Sequence, residues 1–195
     1  MKRLVLTIAM SLMATCSLAA GKFSTIGMSF NGSAQFPASY NSVYGWRFAV
    51  FSGGHQDMYG LATALFANND AAVGGHVGGL QTAILFNTAN DCEFGIWQIA
   101  GMFNTVSRGC NGLQLSLLYN KSGEYFNGVN LALCNYVSGD AMGMQLGLVN
   151  IATSIYGMQI GLVNVADALG GVQVGLVNVV HQSDMFVFPV VRLGW

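Results

Sequence analysis

From Gly143 to Val180 the chain writes one phrase three times, as GMQLGLVNIA, GMQIGLVNVA and GVQVGLVNVV. Its anchors recur at fourteen-residue steps: Gly143, Gly157 and Gly171, then Gln145, Gln159 and Gln173, then Asn150, Asn164 and Asn178. Within a copy, hydrophobic positions alternate with small or polar ones. Met144, Leu146 and Leu148 fall on one side of an extended chain and Gly143, Gln145, Gly147 and Val149 on the other, because successive strand side chains face opposite ways. A helix would need apolar residues at three- and four-residue spacing, and each glycine would weaken it by roughly 1 kcal/mol relative to Ala. The phrase predicts strands, and its regularity makes the repeat the unit to be explained.

The same alternation, less strictly kept, runs back to the start. KFSTIGMSF sets Ser24, Ile26, Met28 and Phe30 on one side, and NGSAQFPASYNS reads as a longer loop. VYGWRFAVF places Tyr44, Trp46 and Phe48 opposite Gly45, Arg47 and Ala49. MYGLATALFA, GLQTAILFN, FGIWQIAGMFN, GLQLSLLYN and GVNLALCNYV follow, and MFVFPVVRLGW ends on Trp195 with Arg192 on its small-residue side. Eleven candidate strands result. Asp70, Asp91, Glu93, Arg108, Lys121, Glu124, Asp140, Asp167 and Asp184 all fall between them, and only Arg47 and Arg192 lie well inside strands.

Composition narrows the setting. Only 8% of the 195 residues are charged while 53% are hydrophobic, so the chain reads neither as disordered nor as an ordinary soluble domain. Seven basic against eight acidic residues give no basic patch, which sets nucleic acid aside as a partner. Lys2 and Arg3, then LVLTIAMSLMATCSLAA, read as a signal peptide over residues 1–20 with cleavage after Ala19 or Ala20, leaving 21–195 as one exported domain. Cys16 raises lipidation as an alternative, although Thr15 stands where a small residue is usual.

Beyond residue 20 no apolar run is long enough for a membrane helix. A strand of about ten residues, tilted by about 40°, covers roughly 25 Å of membrane normal, and charges confined to turns suit the same picture. These features predict an all-β fold, an antiparallel transmembrane β-barrel of about 10–12 short strands built from 14–16-residue repeats. The alternative is a β-solenoid, with identical positions stacked coil upon coil and the asparagines in a ladder.

Three features resemble the uncharacterised surface-repeat proteins of spirochaetes and other double-membraned bacteria: the segment QFPASYNSVYGWRFAVFSGGHQDMYGLATALF, the recurring G-x-Q-x-G-L-V-N phrase, and the ending FPVVRLGW. The resemblance implies an exported, outer-membrane or cell-surface location and assigns no activity. The early copies depart from it, since Gly60, Gly79 and Gly112 lie eight rather than seven residues before Asn68, Asn87 and Asn120. That leaves the register of those strands open.

Candidate chemistry is sparse. His55, His76 and His181 share no metal-ligand spacing, Asp91 and Glu93 beside Cys92 read as turn carboxylates, and GGHVGG at 74–79 lacks the lysine and helix of a phosphate loop. No metal, cofactor or catalytic set is expected. In a barrel Cys92 and Cys110 would lie near opposite rims, beyond the roughly 7 Å Cα limit for a disulfide, and Cys134 would face the small-residue side.

Arg47, Gln81, Gln114, Gln145, Gln159, Gln173 and Arg192 are the lumen-facing candidates. They either line a narrow passive pore or hydrogen-bond across a closed interior. The expectation is a non-enzymatic outer-membrane or surface protein with a structural or interaction role. Its expected partners are outer-membrane lipid and, through the strand ending at Trp195, the barrel-assembly machinery. A secreted, surface-binding solenoid is the other reading.

Overall fold

A computed structural model describes residues 23–70, 75–183 and 187–194, with the side chains of 93 and 94 left aside. The predicted signal peptide, Cys16, Asp184 and Trp195 lie outside the described residues. The strands are β1 (Phe23–Asn31), β2 (Ala34–Phe36), β3 (Ser42–Ala49), β4 (Ser52–Gly53), β5 (Asp57–Ala64), β6 (Ala67–Asn69), β7 (His76–Ala83), β8 (Phe86–Ala89) and β9 (Asp91–Ala100). They continue as β10 (Phe103–Val106), β11 (Gly109–Ser116), β12 (Tyr119–Ser122), β13 (Tyr125–Leu131), β14 (Cys134–Leu146), β15 (Val149–Ile160), β16 (Val163–Val180) and β17 (Val187–Gly194).

The chain is all-β, but it is a β-solenoid of about ten turns and not a barrel. Each repeat forms one coil with two faces. Face A runs through β1, β3, β5, β7, β9, β11 and β13 and then residues 140–146, 154–160 and 168–174, every neighbour parallel, with register shifts where β1 meets β3 and on both sides of β9. The shorter face B stacks β4, β6, β8, β10 and β12 and then residues 134–137, 149–152 and 163–166. β14, β15 and β16 are long because each passes from face B round a corner into the next face A.

Parity explains why a repeat read as one strand is two. Gln145 and Asn150 are five positions apart, so a single strand would send them to opposite sides. Both are fully buried, because the chain turns at Gly147–Leu148 and face B starts with its alternation shifted by one. Val149, predicted on the small-residue side, therefore points outward. The eight-residue spacing of the early copies has the same origin: corners such as Leu65–Phe66 and Leu117–Leu118 carry one more residue than Leu148 or Leu162 does. The glycines themselves remain in register, Gly45 on Gly60 on Gly79 and Gly112 on Gly128 on Gly143.

The interior is thin. Val43, Met58, Val77, Cys92, Cys110, Phe126, Ala141, Ile155 and Leu169 form one apolar column at the start of face A, and Ala89, Val106, Val137, Ala152, Ala166 and Val180 another on face B. Cys92 and Cys110 are thus register neighbours on adjacent coils and not rim residues of a barrel. Both are buried free thiols, and burial together with the other's thiol pushes the pKa of Cys92 up. Both ends are capped by reversal of direction. β2 pairs antiparallel with β1, and β17 runs the last coil backwards, with Gln173 beside Arg192 and Asn178 beside Phe188. The segment predicted to close a barrel therefore closes the end of a stack.

Candidate functional site

The predicted lumen residues come together, but on a line. From Arg47 the register runs through Ala62, Gln81, Gln98, Gln114, Asn130, Gln145, Gln159 and Gln173 to Arg192, one residue per coil. There is no lumen along it. Where one glutamine follows another, its Nε2 donates to the Oε1 of the preceding coil, at 2.7 Å from Gln98 to Gln81, 2.8 Å from Gln114 to Gln98, 2.6 Å from Gln159 to Gln145 and 2.7 Å from Gln173 to Gln159. These amides have no solvent exposure, and a buried amide left unpaired costs about 1–3 kcal/mol, so the stacking is what permits them inside.

A second ladder runs beside the first. Asn68, Asn87, Asn104, Asn120, Asn135, Asn150 and Asn164 each donate from Nδ2 to the next Oδ1, ending at Asn178, at 2.8, 3.0, 3.0, 3.2, 2.9, 2.9 and 2.8 Å in turn. From Asn68 to Asn164 the amide nitrogen also donates to a backbone carbonyl of the next coil, such as Leu146 O for Asn135 and Ile160 O for Asn150. Asparagine thereby satisfies backbone acceptors where the chain leaves face A at the corner.

The two ladders point opposite ways and share one terminus. Asparagines donate toward the C-terminal end and glutamines toward the N-terminal end. At the first coils Arg47 and Asp70 form a fully buried ion pair, with Arg47 Nη2 donating to Asp70 Oδ2 at 2.8 Å and Nη1 to Oδ1. Arg47 Nη2 also donates to Asn68 Oδ1 at 2.9 Å, which starts the asparagine ladder. Gln81 Nε2 donates to Asp70 Oδ2 at 2.6 Å, which ends the glutamine ladder. Cation and anion therefore stand where each amide chain would otherwise leave an end group unpaired. Asp70, expected at a turn in solvent, has no exposure, and Ala62 next to Arg47 in the column is small enough for the guanidinium to reach it.

His55, which shares no metal-ligand spacing with the other histidines, belongs to the same cluster. Its backbone N–H donates to Asp70 Oδ1 at 2.9 Å and its Nε2 lies 3.0 Å from Pro37 O. A carbonyl only accepts, so Nε2 carries the proton and Nδ1 turns its lone pair to Arg47 Nη1 at 3.5 Å. Burial, and then the Arg47 charge, lower its pKa from 6.5 to about 4. Because the folded value is the lower one, this histidine's contribution is complete above pH 6.5 and is lost as pH falls toward 4. The gap corresponds to about 3 kcal/mol at 1.36 kcal/mol per pKa unit. Urea unfolding at pH 7 and pH 4.5 should show this loss, and His55→Gln should flatten the slope between them. An unchanged slope in that variant would place the pH dependence elsewhere.

One interruption makes the ladder testable. Asn130 occupies a glutamine position, one methylene too short, and neither its Nδ2 nor its Oδ1 finds a partner. Gln114 Oε1 instead accepts from Ser122 Oγ at 3.2 Å. Asn130→Gln should join the two halves and stabilise the fold by about 1–2 kcal/mol, seen as a rise of about 3 °C in Tm. A lower Tm would show the column too tight for the longer side chain.

The exterior inverts the usual arrangement. Met144, Leu146, Leu148 and Ile151 and their equivalents point outward, and the corner after face A exposes Leu117, Leu133, Leu148, Leu162 and Leu176. The opposite corner carries Asp91 with Arg108 at 3.7 Å, Asp57 with His76 at 3.1 Å, Asp167 with His181 at 2.8 Å, and Glu124 and Asp140. No cluster of three or more His, Cys, Asp or Glu side chains able to hold a metal occurs among the described residues.

Sequence reading reached Arg47, Arg192 and five of the glutamines. It missed Gln98 and Asn130 on the same column, although G-x-x-Q in GIWQIA and G-x-N in GVNLA carried the signal. It also missed Asp70 and His55, which stand beyond the short strands of face B and carry no periodic mark. No protein-family model, no curated protein and no solved structure matches this chain.

Proposed function

We propose that this chain is an exported, non-enzymatic structural protein of the bacterial envelope, a stiff rod whose surface is the working part. One observation carries the reading: the polar side chains that could act on a solute are sealed inside as amide ladders, while the aliphatic ones are turned out. Arg47, His55 and Asp70, a compact group of titratable side chains, have no exposure and serve the ladders. A passive pore loses its basis with the barrel, since the column once read as lumen lining is filled by its own hydrogen bonds.

The test is cell fractionation of the full chain. Recovery in the washed envelope fraction, resistant to high salt and released by detergent, is expected. A fully soluble protein in the medium would replace this reading with that of a secreted, surface-binding solenoid. Planar-bilayer recordings of the folded protein should give no channels, and discrete conductance steps would count against the sealed interior.

A further inference from the structure

We infer that the solenoid lies edge-on in a single membrane leaflet, with its leucine corner in the acyl chains and its charged corner in water. The inference rests on the envelope location proposed above and adds the partner and the orientation. Its ground is how the outside of the coil is divided.

On face A three outward rows follow one another from the charged corner to the leucine corner. The first holds Tyr44, Tyr59, Asn111, Asn127, Met142 and Tyr156, a mixed aromatic and polar row, with Tyr44 and Tyr59 stacked at 5.2 Å. The second holds Trp46, Leu61, Leu80, Trp97, Leu113 and Met144, and the third Thr63 and Thr82 in the early coils and then Leu115, Leu131, Leu146 and Ile160. Then comes the corner itself, where Leu117 and Leu176 are 70% and 68% exposed. Beyond it face B turns out Phe86 and Phe103, stacked at 4.9 Å, and the aliphatics Ile151 and Val165. Among the described side chains, the charged ones that reach solvent on the coils lie at the opposite corner, except Lys121, which stands in the outward row of face B between Thr105 and Tyr136 and whose long stem can carry its ammonium toward that corner.

Three sides of the coil are therefore largely apolar at once, namely both faces and the corner joining them, with threonines and Lys121 interspersed in the early and middle coils. A second copy or a flat protein partner covers one side. Lipid surrounds all three. The dimensions agree with a leaflet: at about 3.3 Å per residue the Trp row stands about 13 Å above the corner and the Tyr row about 20 Å. Half of a hydrocarbon core is about 15 Å, so with the corner at the bilayer centre the Trp row sits just under the headgroups and the Tyr row among them, where amphipathic rings belong. The water-side corner holds Asp57, Asp91, Glu124, Asp140 and Asp167 against Arg108, a net negative charge even when the nearby Lys121 is added. Attraction to anionic headgroups is thus not the driving force, and binding should be as strong to zwitterionic lipid and indifferent to salt.

The experiment uses the full exported chain with Trp195→Phe, which leaves Trp46 and Trp97 as the reporters, and vesicles of zwitterionic phosphatidylcholine brominated at defined acyl carbons. The expected result is co-flotation at low and high salt, with bromines at carbons 6 and 7 quenching more strongly than those at 11 and 12. Leu148→Lys with Leu162→Lys should weaken binding by about a hundredfold or more, since each lysine would sit deep in hydrocarbon, while Thr153→Lys at the wet corner leaves it unchanged. Circular dichroism and thermal unfolding confirm that both variants fold, as all three side chains point outward.

Envelope recovery without bromine quenching would overturn the edge-on inference and leave the envelope reading standing. Recovery in the medium would overturn the envelope reading itself. A discrete dimer that the leucine double variant dissociates, with no flotation, would overturn the inference and assign the corner to a second copy.

Discussion

Asp70→Asn is expected to cost about 3–5 kcal/mol, because it leaves a guanidinium with no exposure and no anion. For many buried ion pairs, replacing both partners by apolar residues restores stability. Here Arg47→Met combined with Asp70→Leu should not. Asn68 Oδ1, Gln81 Nε2 and the His55 N–H would each lose the group that ends their hydrogen-bond chain, at about 1–3 kcal/mol apiece. In a stacked array each coil contacts only its neighbours, so the damage should be local. Hydrogen exchange should rise across β3 to β7 and stay low from β13 to β16. A double variant as stable as the parent would show that the pair is an isolated ion pair and not the terminus of the ladders.

Gly157→Ala is the second large effect. Gly157 has φ +142, a conformation L residues avoid, and its missing Cβ would lie far inside van der Waals contact of Gly143 O on the coil below. The same backbone oxygen cannot retreat, since Gly143 is held in register by Gly128 beneath it. Strain at such a φ is about 1–3 kcal/mol and the displaced backbone adds to it, so a loss of about 3 kcal/mol or more is expected. The position lies inside the three strict copies, so the stack should separate into two units there, and calorimetry should show a broadened or split transition. Thr153→Ala on the wet corner should stay within about 0.5 kcal/mol of the parent. A single unshifted transition for Gly157→Ala would mean that the glycine column is free to move.

The β class and the repeat were legible in the sequence, while the closure was not: the expected barrel is a solenoid. The β class, the repeat and the side on which Arg47 and the glutamines fall follow from the alternation and hold in the fold, whereas the single antiparallel strand per repeat does not, since each repeat folds into two parallel-stacked faces. The odd five-residue step from Gln145 to Asn150 was also on view, and it excludes a continuous strand if both amides share one side. What the sequence did not display was Asp70 and His55 as interior groups. Their positions become buried only because the first coils bring them opposite Arg47, a contact across 23 residues for Asp70 and 8 for His55.

By itself the amino-acid sequence determined the local conformation and the partition of side chains, amides and glycines on one side and aliphatics on the other. Only the tertiary structure decided how the strands close. Alternation is a property of a single strand, equally served by antiparallel neighbours around a barrel or parallel neighbours in a stack. The choice falls to the pairing between strands, where amides meeting identical amides in register satisfy hydrogen bonds that an antiparallel neighbour, bringing different residues opposite each other, could not.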